Sequence, residues 1–338
     1  MELKQKQKLH RQLKKLTLLN SKNMKKIQYL EIFKKSLAVS WKHRILWWFG
    51  FFIFLSSLFG NFNYQNNEKQ NASNLSSKLL SFFQLHPFLS LGILISLLLL
   101  MLALFALSIV SRASIIKTVA NLELYSKQNF SFLFKEGMAH LAKLFQFEML
   151  FFFSLLSLLI ILATPIVFLF SLNSIAFGII ATLIAIAIFI PIIFFAFFCH
   201  QYTYLYRVLG NVKILQAIEA SYFLFRKNLK EGFLTSIFLL LASIAFFAGL
   251  MLTGFLFALI LVIVGVVPYF IFGKTVLLVL GIFGICAFLI FFTIAFSFFE
   301  VFKQAVWVLF FQEITNPKIP ERIEEVEAIE QVQANALG

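Results

Sequence analysis

Residues 149–206, between Glu148 and Arg207, contain no Asp, Glu, Lys or Arg. As a helix rising ~1.5 Å per residue, such a run is about twice as long as a bilayer is thick. Backbone polar groups in lipid must be satisfied within the segment, so the stretch has to cross as helix, turn and return as helix. Asn173-Ser174 marks the turn, which gives spans of about 144–172 and 175–199, with Pro165 and Pro191 as expected kinks.

The same reading extends to the whole chain. Of 338 residues, 61% are apolar and 13% are charged, whereas soluble domains carry about a quarter charged residues. An ordinary soluble domain is excluded, and the expected class is an all-α membrane protein with six transmembrane helices arranged as three hairpins. The other spans are expected at about 45–60, 87–110, 233–260 and 276–302. Pro87 stands at a helix start, where its missing N–H costs nothing. A span of 45–60 is short, so it should borrow Leu37 to Trp41 or lie among longer neighbours. Residues 261–275 are expected to form a short external or re-entrant piece.

Three regions follow from these limits. Residues 1–36 read as a basic amphipathic arm, with Leu9, Leu13 and Leu16 and then Met24, Ile27 and Leu30 at helical spacing. Residues 37–311 form the transmembrane domain, and 312–338 an acidic tail beyond Pro317 and Pro320. The apolar stretch after the arm lacks a good cleavage site and is expected to remain as an anchor. Residues 61–84 form an Asn- and Ser-rich loop in which Asn71-Ala72-Ser73 and Asn74-Leu75-Ser76 match the glycosylation pattern.

Charge sorting sets the orientation. All but Lys69, Lys78 and Lys274 of the 29 Lys and Arg fall in segments on one side of such a six-span chain. By the positive-inside rule that side is cytoplasmic, with both termini there, and Trp41, Trp47, Trp48 and Trp307 fall near the same boundary. The net charge of +14 points first to anionic lipid and not to nucleic acid, at about 1 kcal/mol per well-placed basic side chain.

A basic, helix-permissive segment runs into each odd-numbered span: Phe33 to Trp48, Phe134 to Leu144, and Ile218 to Phe233. The pattern reads as three copies of an interfacial helix followed by a hairpin. The entry Ser40-Trp41-Lys42-His43-Arg44-Ile45-Leu46-Trp47-Trp48-Phe49-Gly50 resembles the opening of a family of uncharacterised bacterial six-span membrane proteins. The layout is more distantly similar to the membrane domain attached to some glycerophosphodiester phosphodiesterases. That resemblance implies a bacterial inner-membrane bundle; the phosphodiesterase domain with its metal-binding acids and histidines is not found in this sequence, so its activity is not carried over.

Ionisable groups inside a membrane are costly and mark function when they occur. Glu148 with Gln146 offers a proton or cation site, although Lys143 lies near enough for Glu148 to reach the interface beside it. Glu300 and Lys303 offer a gate, or an ordinary i, i+3 ion pair. His200 beside Cys199 is too few ligands for zinc, which needs three or four. Tyr202, Tyr204 and Tyr206 read as an interfacial belt and less readily as a stacking strip. Gly178 with Thr182, and Ala245, Gly249 and Thr253, form small-residue ridges for close helix approach within the bundle, with a homodimer face as the alternative.

No phosphate loop, HExxH or GxSxG occurs in a suitable setting. The expectation is therefore a noncatalytic protein without cofactor or metal. It would organise anionic lipids or a membrane-protein partner, including a second copy, at the cytoplasmic face, with no nucleic acid. The alternative is a permease for a small or lipid-like solute.

Overall fold

The computed structural model describes residues 28–60, 83–125, 127–172, 174–210 and 212–315. The arm before residue 28, the loop with its glycosylation tripeptides, Asn173 and the acidic tail from 316 lie outside the described residues. Among those described, the chain is helical and has no strand. The helices are α1 (Tyr29–Lys42), α2 (Leu46–Gly60), α3 (Pro87–Ala120), α4 (Leu122–Tyr125), α5 (Phe130–Met138), α6 (Leu141–Ser171), α7 (Ile175–Leu209), α8 (Ile214–Lys227), α9 (Leu229–Phe272) and α10 (Lys274–Thr315).

Five of them, α3, α6, α7, α9 and α10, are long and apolar enough to cross a membrane. Helix α2 is not, because its apolar stretch Leu46–Leu58 rises only about 20 Å against a hydrocarbon core of about 30 Å. It does not borrow from Leu37 to Trp41 either. The chain leaves helical geometry at His43, and the Trp47 indole N–H donates to the Ser40 carbonyl at 2.8 Å across the break. Instead α2 lies between α10 and α3 with Leu46 and Phe49 fully buried.

Several long helices overrun their expected ends. Helix α3 continues past Val110 to Ala120, α7 past Cys199 to Leu209, and α10 past Phe302 to Thr315. Between α9 and α10 no non-helical segment intervenes across 261–272. Helix α9 runs on to Phe272, and Gly273 alone breaks it at φ 74°, a left-handed value that suits glycine because a Cβ would clash with the following carbonyl.

The overruns build the core. Ile109 to Val119 of α3, Phe198 to Val208 of α7 and Val301 to Phe311 of α10 supply most of its buried side chains. Away from this core the long helices expose Leu98 of α3, Ile161 of α6, Leu183 of α7 and Met251 of α9 at 62–74%. Lipid tails are as apolar as these side chains, so nothing drives the faces together there. Beyond the lipid, water would wet the overruns, and the hydrophobic effect packs them.

Each short amphipathic helix docks on a different overrun: α5 on α3, α8 on α7, and α1 on α10. In each, a small buried residue faces the core, Ser36 in α1, Gly137 in α5 and Ser221 in α8. A Cβ on Gly137 would overlap Ser114 and Val110 of α3. The Ser114 hydroxyl lies 2.9 Å from the carbonyls of both Val110 and Leu133, and Thr203 donates to Ser221 at 2.9 Å. Thus α5 packs on the second helix of the preceding α2 and α3 pair, and α8 on the second helix of the α6 and α7 pair. Helix α1 closes the circle on the last long helix of the chain.

Candidate functional site

Three of these helices meet around a polar cluster within the basic end. Helix α6 carries Glu148 and α7 carries His200, and the His200 Nε2 lies 3.1 Å from the Glu148 carboxylate, each side chain 14% exposed. The sequence offers these two residues separately; helix α7 continuing through Cys199 is what brings them together. Phe147 and Phe151 cover the imidazole with ring centroids 5.3 and 4.7 Å away. Arg112 of α3 adds positive potential at Glu148 and at Tyr204. The arrangement places a carboxylate and an imidazole in hydrogen-bond contact between two spans, beneath two aromatic rings. Gln146, the expected companion of Glu148, is instead exposed.

The tyrosines depart from the expected belt. Tyr202 and Tyr204 are core residues, 0% and 3% exposed. Helix α7 turns Tyr202 toward Trp307 and Phe311, and turns Tyr204 toward α3, where its hydroxyl donates to the Ile109 carbonyl at 3.1 Å. Only Tyr206 is partly exposed, edge-on to Phe311 at 4.9 Å. Trp307 likewise leaves the expected boundary belt for the core at 4% exposure, while Trp41 and Trp48 remain outside at 63% and 62%.

The other candidates separate. Glu300 and Lys303 form a same-face ion pair of 2.6 Å on α10. Gly178 brings α7 close to α6, since a Cβ there would lie 2.9 Å from the Phe170 ring, and the Thr182 hydroxyl bonds back to the Gly178 carbonyl at 2.8 Å. The Ala245, Gly249 and Thr253 ridge faces outward, with nothing within 4 Å of a Cβ on Gly249. Helices α9 and α10 approach through Gly254 and Gly284 instead, against Phe288 and Leu261. Among the described residues, no three His, Cys, Asp or Glu side chains converge as a metal site would require.

Two buried basic groups escape a reading by charge count. Arg207, 6% exposed, donates to the carbonyls of Val212 at 2.9 Å and Lys143 at 2.7 Å, tying the end of α7 to the start of α6. His140, just before α6, is 8% exposed, and its Nδ1 has no protein partner. Burial, followed by Lys117 and Lys143, holds its pKa below the ordinary histidine range; Glu136 opposes this and Arg207 reinforces it.

The folded protein therefore favours neutral His140, and the unfolded chain takes up the proton first. The stability involved is complete above about pH 6.5 and is lost as pH falls below it. Protein in mild detergent should melt at a lower temperature near about pH 5 than near about pH 7.5, and His140→Gln should narrow that gap. An equal gap in the variant would remove His140 from the acid response.

Compared with protein families, curated proteins and solved structures, the chain matches none of them.

Proposed function

We propose that this is a multi-pass protein of the bacterial cytoplasmic membrane, with both termini in the cytoplasm, which organises anionic lipid or a membrane-protein partner at that face. In this reading α2 is a sixth, short span among longer neighbours, and the long helices pair as three hairpins. A kinship to the membrane domain of glycerophosphodiester phosphodiesterases is compatible with it. The role is noncatalytic.

One observation carries the proposal. Each docked short helix leaves basic side chains exposed beside large exposed apolar ones: Lys34, Lys35 and Leu37 in α1, Lys135 and Phe132 in α5, and Arg226, Lys227 and Phe223 in α8. That pairing suits a helix lying in the interface of an anionic leaflet, where apolar groups enter the headgroup layer and cations meet phosphates.

Tryptophan quenching by brominated lipids tests it, because Trp41 and Trp48 are exposed at this end. Brominated phosphatidylglycerol should quench at about fivefold lower membrane fraction than brominated phosphatidylcholine, and Lys34→Glu with Lys35→Glu should reduce that preference. Equal quenching by both lipids in the wild-type protein would refute the lipid role.

The partly buried Glu148 and His200 pair favours a second reading, a permease for a small or lipid-like solute in which the pair passes a proton. Proteoliposomes given a pH step would then show a proton flux that Glu148→Gln abolishes. Identical fluxes in the two proteins would leave the pair a structural one.

A further inference from the structure

Between α2 and α10 runs an open groove of about 580 Å³, within the range of roughly 300–1,000 Å³ that holds small ligands. Trp47 and Phe51 wall one side, and Ile290, Thr293 and Ile294 the other. The polar atoms in these walls already have partners. The Trp47 indole donates to the Ser40 carbonyl, the Thr293 hydroxyl to the Leu289 carbonyl at 2.8 Å, and the Ser297 hydroxyl to the Thr293 carbonyl at 2.7 Å. What the groove offers a ligand is therefore apolar along its length.

Its basic end differs. Arg44 is the one charged residue among those lining the groove, it is exposed, and no carboxylate among the described residues pairs with it. Trp48 stands beside it, 62% exposed. From Ser297 to Leu289 the groove follows α10 for about 12 Å away from that cation. A fixed positive charge at one end of an apolar channel that opens sideways is complementary to a molecule with an anionic head and a hydrocarbon chain.

We infer that the groove binds one anionic glycerophospholipid, with its phosphate on Arg44 and an acyl chain along α10. The inference rests on the lipid-organising reading and gives it a specific site. The guanidinium meets the phosphate as a bidentate donor, which a lysine reproduces in charge but not in geometry.

Native mass spectrometry of the full-length protein, released from mild detergent and titrated with phosphatidylglycerol or phosphatidylcholine of matched chains, tests the site. The wild-type protein should retain one phosphatidylglycerol with about fivefold preference. Arg44→Ala should remove the preference and Arg44→Lys should keep most of it. Ile290→Trp, at a position 62% exposed and outside the core, should lower retention of both lipids by filling the channel.

Wild-type retention in both Arg44→Ala and Ile290→Trp would overturn the site. So would displacement by glycerol phosphate, which would assign Arg44 to a soluble anion, and so would a doubled protein mass in place of bound lipid. Lys35→Glu with Lys227→Glu separates the two claims. If only these variants lose the anionic preference, the groove fails and the broader lipid reading stands. If no variant loses it, both fail.

Discussion

Gly50→Ala should destabilise the protein by about 2–3 kcal/mol, although it adds one methyl group. Gly50 lies where α2 crosses α10. A Cβ there would overlap the Ser297 carbonyl oxygen and lie 2.9 Å from its carbon and 3.0 Å from a methyl of Val301. Backbone atoms on a long helix cannot swing aside as a side-chain tip can, so α2 must move. Because α2 also touches α3, the shift opens the core on two sides. Thermal unfolding in detergent should show a clear loss of melting temperature. Gly92→Ala and Gly249→Ala, where nothing lies within 4 Å of the added atom, should be neutral or stabilise by up to about 1 kcal/mol through helix propensity. Equal effects at all three glycines would mean that α2 does not approach α10 this closely.

Removing Glu148 has the second largest expected effect. Glu148→Ala leaves His200 without its carboxylate under two aromatic rings and leaves Arg112 without the negative charge it faces. Loss of one partner of a fully buried pair costs about 3–5 kcal/mol. With each side chain here 14% exposed, solvent reduces the expected cost to about 2–3 kcal/mol. His200→Ala should cost a similar amount, and the double variant should cost less than the sum by about 1 kcal/mol or more. Additive losses would show that the two groups do not interact.

The long helices were legible because charge-free apolar runs in lipid leave the backbone no alternative to helix. Their ends were not. The positions of Arg112 and Arg207 read as the start of loops, yet helix continues through both, since a span that emerges into water keeps its backbone bonds while neighbours cover its apolar face. That overrun also explains the tyrosines. Spaced as a boundary belt in the sequence, Tyr202 and Tyr204 become core residues once α7 extends past Cys199 to Leu209 and α8 and α10 pack against it.

Within the candidate site, Glu148 and His200 were each visible as ionisable residues near span ends. Their meeting depends on the stagger of α6 against α7, which no local pattern encodes. Gly137 and Ser221 could have been found from the sequence as small residues among the apolar positions of amphipathic helices. The outward ridge of Ala245, Gly249 and Thr253 shows the limit of that signal, because small-residue spacing alone does not say which face has a neighbour.

Hydrogen exchange of the intact protein in nanodiscs tests the central claim most directly, that the docked basic helices lie on anionic lipid. Backbone amides of α1, α5 and α8 should exchange about fivefold more slowly in phosphatidylglycerol than in phosphatidylcholine, with the lipid-facing middles of α3, α6, α7, α9 and α10 unchanged. Equal exchange of α1, α5 and α8 in the two lipids would contradict it.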